Sequence, residues 1–421
     1  MNTSFKLAYN TAIQLLGKAI TVTSTLLITY LVAKNFPIEG YGNYTAVLSY
    51  IALFYVFADF GLNAIFVRET GSDPEKQKEY FKDLLGLRLT ASIFIAFAAT
   101  AILAFTGHPA PVKLGIIIAL GLVITQSFAA TALALFQTKI RYDLVVIADS
   151  LGAVATLAFV YLAATNFKGI LFVIAALVLG SVVRVLVAFY IARFQFGVFA
   201  IAFNIGFWRK LLLAALPIGL IAIFSQFNAQ IDKQIVLLAN YKPALGLNGE
   251  TAAGVYGFAY KIFELAIALP SFIMNVGYPI MVQKKEEGIT SLFRFTKKLA
   301  AVLLALGFFG LILGWFLVPF IFKVPGLEKF SVSVATTRIL LLGFPLFFIT
   351  PATLWLAVTL NKTREMMFIY GFAALFNLVA NLVFVPSFGY NAAAVITIAS
   401  ELLILALSLG VLCFAFKGRE T

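Results

Sequence analysis

The chain has 421 residues, 62% of them apolar and only 12% charged, whereas a soluble domain sits near half apolar and a quarter charged. No single core hides that surplus, because much of any folded surface stays exposed, so lipid must be the solvent for much of the outside. The formal net charge of +13, from 31 Lys and Arg against 18 Asp and Glu, excludes nucleic acid as a partner for want of a soluble basic domain, and reads instead as an orientation and lipid-headgroup signal.

Within lipid every backbone amide needs an internal partner, which leaves helices or a closed barrel. The apolar runs are about 20 residues or longer, so the expected fold is an all-α polytopic membrane protein. The opening MNTSFKLAYNTAIQLLGK does not read as a cleavable signal, because Asn10, Gln14 and Lys18 interrupt its apolar stretch. Runs bounded by charge, Gly and Pro predict about twelve spans, at 10–33, 42–66, 86–106, 113–136, 144–165 and 169–192, then 210–240, 251–282, 298–322, 334–358, 366–385 and 390–416. Residues 1–195 thus form one six-helix lobe, 196–209 a cytoplasmic linker and 210–421 a second six-helix lobe. Twenty Lys and Arg fall on the side of the N-terminus, Arg88, Lys139 and Arg364 among them. Six fall opposite (Lys34, Lys113, Lys168, Lys242, Lys323 and Lys329) and five within spans. The positive side faces the cytoplasm, which puts both termini inside a plasma (inner) membrane.

The halves look duplicated. Lys139-Ile-Arg141 precedes a helical hairpin turning at Asn166-Phe-Lys-Gly169, and Lys362-Thr-Arg364 precedes one turning at Pro386-Ser-Phe-Gly389. Six spans per repeat give both halves one orientation, with a pseudo-twofold axis along the membrane normal and substrate sites near the midplane.

Polar residues inside spans mark the candidate site, since an ionisable group facing lipid costs at least a few kcal/mol. On the first span Asn10, Gln14, Lys18, Thr21 and Thr25 share one face. Helix–helix hydrogen bonds account for Asn10 and the threonines; a water-filled lining accounts for all five. The seventh span carries Ser225, Asn228 and Asp232 on one face and Gln226, Gln230 and Lys233 on the next, above Pro217. The eighth adds Tyr256, Tyr260, Lys261 and Glu264; the last two are three apart and either pair internally or serve a site. Asp59 and Asn63 read as anchors of their loop. Asp149, Arg338, Glu401, Asn377 and Asn381 read as glue between helices, while Arg184 suits a diphosphate. Trp208, Trp315 and Trp355 read as interfacial or packing residues. His108, the only histidine, reads as a solvated turn residue, and Cys413, the only cysteine, has no partner for an intramolecular disulfide. No phosphate loop, metal-ligand cluster or nucleophile–base pair is visible, so neither enzyme activity nor a metal or other cofactor is expected. A hydrated, cationic, tyrosine-rimmed cleft favours an anionic, sugar-bearing passenger.

Several segments carry a family resemblance: Gly40-Tyr-Gly-Asn-Tyr44, Phe57-Ala-Asp-Phe-Gly-Leu62, Leu216-Pro-Ile-Gly219 with Asp232 following, Gly254-Val-Tyr-Gly-Phe-Ala-Tyr-Lys261, Asn361-Lys-Thr-Arg364, Pro386 and Gly389-Tyr-Asn-Ala-Ala393. In this order they resemble the Wzx-type polysaccharide-biosynthesis flippases of the multidrug/oligosaccharidyl-lipid/polysaccharide exporter superfamily. The resemblance implies two six-helix lobes around a V-shaped cleft and alternating access. Its passenger would be a polyprenyl-diphosphate-linked oligosaccharide moved from the inner to the outer leaflet for cell-surface polysaccharide such as O-antigen. Membrane lipids, glycosyltransferases and a glycan polymerase are the implied partners. Lys18, Lys233, Lys261 and Arg184 are the nearest candidates for cations holding the diphosphate and sugars, with Asn10, Gln14, Asn228, Gln230 and Tyr260 beside them. Asp232 or Glu264 would carry a coupling ion. A multidrug cation antiporter of the same superfamily is the competing reading and predicts acidic cleft residues. A lipid II flippase of the MurJ type ranks lower, because it usually carries two further C-terminal helices.

Overall fold

The computed structural model describes residues 3–70, 73–139, 141–167, 169–197 and 200–417, with side chains described from residue 13 onward except at 64, 67, 68, 416 and 417. The side chain of Asn10, and the orientation charges Lys6, Arg68, Lys168, Lys417 and Arg419, lie outside the described residues. By packing, the chain divides into two units, Met1–Ile223 and Phe224–Thr421.

The first unit runs α1 (Thr3–Asn35), α2 (Ile38–Asp59), α3 (Leu62–Thr70), α4 (Pro74–Ala104), α5 (Ala110–Thr138), α6 (Tyr142–Leu162), α7 (Ile170–Phe196) and the start of α8 (Ile205–Leu238). The expected span 42–66 is broken into α2 and α3. Phe60 and Gly61 take left-handed backbone, φ +43° and +71°, which ends α2 and which glycine tolerates without a Cβ penalty. The next helix starts cleanly: the Asp73 carboxylate accepts from the amides of Glu75 and Lys76 at 3.1 and 3.2 Å, and Pro74 fills the first turn, where its missing N–H costs nothing. A π turn over Ala163–Phe167 closes α6. The joint after α7 lies against this unit, with the Ala202 amide donating to the Lys82 carbonyl at 3.1 Å and the Trp208 indole to Asp83 O at 2.9 Å. Phe66, Phe81, Leu84, Leu135 and Phe136 form the buried core beneath that joint.

The second unit holds the rest of α8, then α9 (Gly249–Glu287), α10 (Ile289–Ile321), α11 (Ser333–Leu342), α12 (Phe344–Thr359), α13 (Thr363–Phe388) and α14 (Tyr390–Lys417). The expected span 334–358 is a pair, α11 and α12, bent by 41° at Gly343. Neighbour relations repeat between units. In the first, α2 and α4 flank α5, α5 packs on α7, and α6 pairs with α7. In the second, α9 and α10 flank α12, α11 and α12 pack on α14, and α13 pairs with α14. One packing order therefore runs through α2–α7 and α9–α14.

Among the described residues ten helices are long and apolar enough to cross a membrane, and the bent pair makes an eleventh. The shortfall from about twelve lies in α2, where Tyr41, Asn43, Tyr44, Tyr50 and Tyr55 interrupt the apolar run. Phe97 is 73% exposed and Phe316 67%, the outward apolar surface that a bilayer, not water, accommodates.

Candidate functional site

In the second unit the polar residues of α8 and α9 turn inward and meet α14. Asp232 and Lys233 are consecutive and buried, 0% and 5% exposed, yet they take different partners. Asp232 Oδ2 accepts from the Tyr256 hydroxyl and from Thr397 Oγ1 at 3.2 Å, while its Oδ1 accepts from the Lys233 amide at 2.7 Å. Lys233 Nζ donates to the Ala229 carbonyl at 2.7 Å and to Gln230 Oε1 at 2.8 Å. It also stands 3.6 Å from the centroid of the Tyr260 ring, a cation–π contact that strengthens away from water. Lys261 and Glu264 do pair, at 2.9 Å, with both side chains about one-third exposed. Asn377 bonds Ser400 Oγ at 3.1 Å and so ties α13 to α14.

Beside this network lies a cavity of about 270 Å³, lined among others by Ser225, Asn228, Tyr260, Phe347, Thr350, Trp355, Tyr370, Thr397 and Glu401. Two residues outside the expected site line this cavity. Glu401, expected as glue between helices, is 8% exposed, has a side-chain hydrogen bond with Thr350 of α12 and also lines the cavity. Trp355 lines the same cavity, with its ring 4.4 Å from that of Tyr278. The signal for Glu401 was its spacing, since Thr397, Glu401, Ile404 and Ser408 are buried along one face of α14.

The first unit holds its charges in pairs. Arg184 meets Asp149 at 2.7 Å, both side chains under one-third exposed. Gly152 lets α6 and α7 approach there, since a Cβ on it would stand 2.6 Å from the Arg184 Cβ. Arg88, expected among loop cations, is 0% exposed within α4. Its Nη2 donates to Asp59 at 3.0 Å and Asn63 at 2.8 Å, and its Nη1 to Thr131 Oγ1 at 2.9 Å and Ser127 O at 3.2 Å. Asp59 and Asn63 thus do anchor a neighbouring segment, through an arginine that the charge count had put outside. His108 is buried rather than solvated, its Nδ1 2.6 Å from Thr106 Oγ1 and its ring edge-on to Tyr50.

Along α1 the threonines satisfy themselves on their own helix: Thr21 donates to Lys18 O at 3.0 Å and Thr25 to Thr21 O at 2.9 Å. Gln14 and Lys18 are exposed. The structure thus brings Asn228, Gln230, Asp232, Lys233, Tyr260, Lys261 and Glu264 together in the second unit, while Gln14, Lys18 and Arg184 belong to the first. Among the described residues no three His, Cys, Asp or Glu side chains gather as metal ligands.

Two units of long apolar helices, with ion pairs between helices and a polar internal cavity in the second, define a multi-pass membrane protein. Solved structures agree on the fold. The chain is similar to the inward-facing conformation of a multidrug resistance MATE family transporter of the MOP superfamily (13% identity, 95% of this chain and 96% of that chain, TM-score 0.72). It is similar to the outward-facing conformation of such a transporter (14%, 99% and 96%, 0.70). It is similar as well to the lipid II flippase MurJ in an inward closed conformation (14%, 94% and 87%, 0.69). The sequence matches the polysaccharide biosynthesis protein family over residues 7–285, and the chain belongs to that family. No curated protein matches it. The all-α fold and the transporter class, as opposed to an enzyme, expected from the sequence are borne out.

Proposed function

We propose that this transporter moves a polyprenyl-diphosphate-linked oligosaccharide from the inner to the outer leaflet of the plasma membrane by alternating access, for assembly of a cell-surface polysaccharide. The observation that carries the reading is the family match over residues 7–285, which takes in Lys18, Arg184, Lys233 and Lys261. Dragging a diphosphate and its sugars through hydrocarbon costs several kcal/mol per unmatched polar group. A hydrated path with counter-charge removes most of that cost while the lipid tail stays in the bilayer. In the first unit exposed Lys18, with Gln14 on the same helix, is the cation best placed to meet an incoming phosphate; in the second, Asn228 and Tyr260 suit the sugars. Lys261, Arg184 and Lys233 enter only by exchanging Glu264, Asp149 or Gln230 for the passenger. Both termini face the cytoplasm in this reading, as the charge asymmetry requires.

The test is uptake of a fluorescent polyprenyl-diphosphate sugar across reconstituted vesicles. Lys18→Glu and Lys261→Glu each should lower the initial rate at least about tenfold, the effect of about 1.4 kcal/mol of lost binding, with insertion unchanged. Full rates in both variants refute the site. A second reading, a multidrug cation antiporter, is favoured by the carboxyl and aromatic rings of the second unit's cavity. Saturable ethidium uptake by the same vesicles, with no movement of the sugar lipid, would support it.

A further inference from the structure

Pro319 lies inside α10 and has no N–H, so the carbonyl four residues earlier, that of Trp315, loses its helical donor. Arg338 of α11 supplies a replacement: its Nη2 donates to Trp315 O at 3.3 Å. The guanidinium also stands 5.0 Å from the centroid of the Trp315 ring, a stacking that orients its plane. Those contacts leave most of its capacity unused. A guanidinium has five N–H donors and keeps its charge. Among the described residues no carboxylate pairs with Arg338, and its Nε is buried without an acceptor. Arg88 and Arg184, by contrast, each hold an aspartate.

The Arg338–Trp315 pair sits near one membrane boundary. Trp315 precedes Ile321, the last residue of α10, by about 9 Å along the axis at 1.5 Å per residue. Arg294, Lys297 and Lys298 lie toward the opposite end of that helix. Arg338 follows the start of α11 at Ser333, and helical side chains lean toward the N-terminus, which here is the boundary. On the other side of the pair, toward the membrane middle, Phe309, Ile312 and Phe316 are exposed. Their spacing of three and four makes one outward apolar stripe on α10. Lys323, just past the end of α10, is exposed as well. The nearest acid in sequence, Glu328, has its carboxylate on the Gly326 amide at 2.8 Å.

A lone cation beside hydrocarbon is costly, and a phosphate answers it with paired, charge-assisted hydrogen bonds. A free phosphate would leave the apolar stripe uncovered, whereas a lipid covers both. We propose that Arg338 binds the phosphate of a membrane lipid whose chains lie along the Phe309–Phe316 face of α10. A phospholipid of the bilayer and a polyprenyl diphosphate both supply that chemistry. The inference rests on the membrane-embedded fold and not on the identity of the passenger.

Native mass spectrometry of the delipidated protein in detergent tests it, by titration with phosphatidylglycerol, a polyprenyl diphosphate or diacylglycerol. At least one phosphate lipid should bind saturably, and more tightly than diacylglycerol, which has chains but no phosphate. Tighter binding of the polyprenyl diphosphate assigns the site to the passenger; equal or tighter binding of phosphatidylglycerol assigns it to a bilayer lipid. Arg338→Gln should weaken the phosphate lipid at least about tenfold, the loss of one charge-assisted contact. Arg338→Lys, a cation without the planar fork, should weaken it less. Because Arg338 also serves the Trp315 carbonyl, Arg338→Gln is repeated with Pro319→Ala, which returns the backbone donor. The loss of lipid should persist in that double variant, with the fold checked by far-ultraviolet circular dichroism. On the unmodified protein, the tighter-binding lipid with a diazirine in its chain should label the Phe309–Phe316 peptide in excess diacylglycerol. Unchanged phosphate-lipid binding by folded Arg338→Gln, its recovery in the double variant, equal binding of diacylglycerol, or labelling only elsewhere overturns the inference. If reconstituted vesicles carry no sugar lipid, the proposed function fails, while the titration still decides Arg338.

Discussion

Removing the charge of Asp59 should destabilise the first unit more than removing that of Arg88, although both substitutions break one ion pair. The pair is 3.0 Å long, with the Arg88 side chain 0% exposed and that of Asp59 37% exposed. Asp59→Ala leaves a guanidinium sealed in the bundle with only neutral acceptors, Asn63, Thr131 and Ser127 O. Stranding a buried charge costs about 3–5 kcal/mol. Arg88→Met, in contrast, leaves a carboxylate that water already reaches and fills the arginine's volume with an apolar chain. Its cost is the lost hydrogen bonds, about 1–2 kcal/mol. The double variant should recover part of the Asp59→Ala loss, because no charge is then stranded. Unfolding in mixed micelles with rising SDS, followed by far-ultraviolet circular dichroism, measures all three. Arg88→Met destabilising as much as Asp59→Ala, or strictly additive effects, would refute the reasoning.

Other outcomes follow from the same geometry. Gly152→Leu should destabilise the first unit by about 1–3 kcal/mol in the same micelle titration, because the new side chain enters where the Arg184 Cβ would stand only 2.6 Å from its own. Tyr256→Phe should cost about 1–3 kcal/mol by leaving the Asp232 carboxylate short of a donor, whereas Tyr260→Phe, which keeps a ring over Lys233, should cost less than half as much. After Cys413→Ala, a cysteine at Lys242 should react with a membrane-impermeant maleimide on intact cells, and one at Lys362 only after permeabilisation. The reverse pattern would invert the proposed orientation.

Much of the architecture was legible in the chain because hydropathy is a local sum. A run of about 20 apolar residues reports a span whatever it later touches, and the paired motifs around Lys139 and Lys362 fall on α6 and α13, which take matching neighbours, α7 and α14. Breaks in helices were less legible. Phe57-Ala-Asp-Phe-Gly-Leu62 and the Gly343 bend look continuous in hydropathy, and only backbone angles show that one span becomes two helices. The polar faces of α8 and α9 were visible from spacing. Their partners were not: Thr397, which bonds Asp232, lies 165 residues away.

What the amino-acid sequence determined by itself is therefore the class: a helical, lipid-embedded, basic chain, with polar residues that lipid would not accept. Tertiary structure alone decided which of those residues are spoken for. Arg88 with Asp59 and Arg184 with Asp149 are 29 and 35 residues apart, and neither spacing nor composition pairs them. His108 became a core residue and Glu401 a cavity residue for the same cause. The fate of a buried charge depends on the rotation and approach of neighbouring helices, a long-range property that no window along the chain contains.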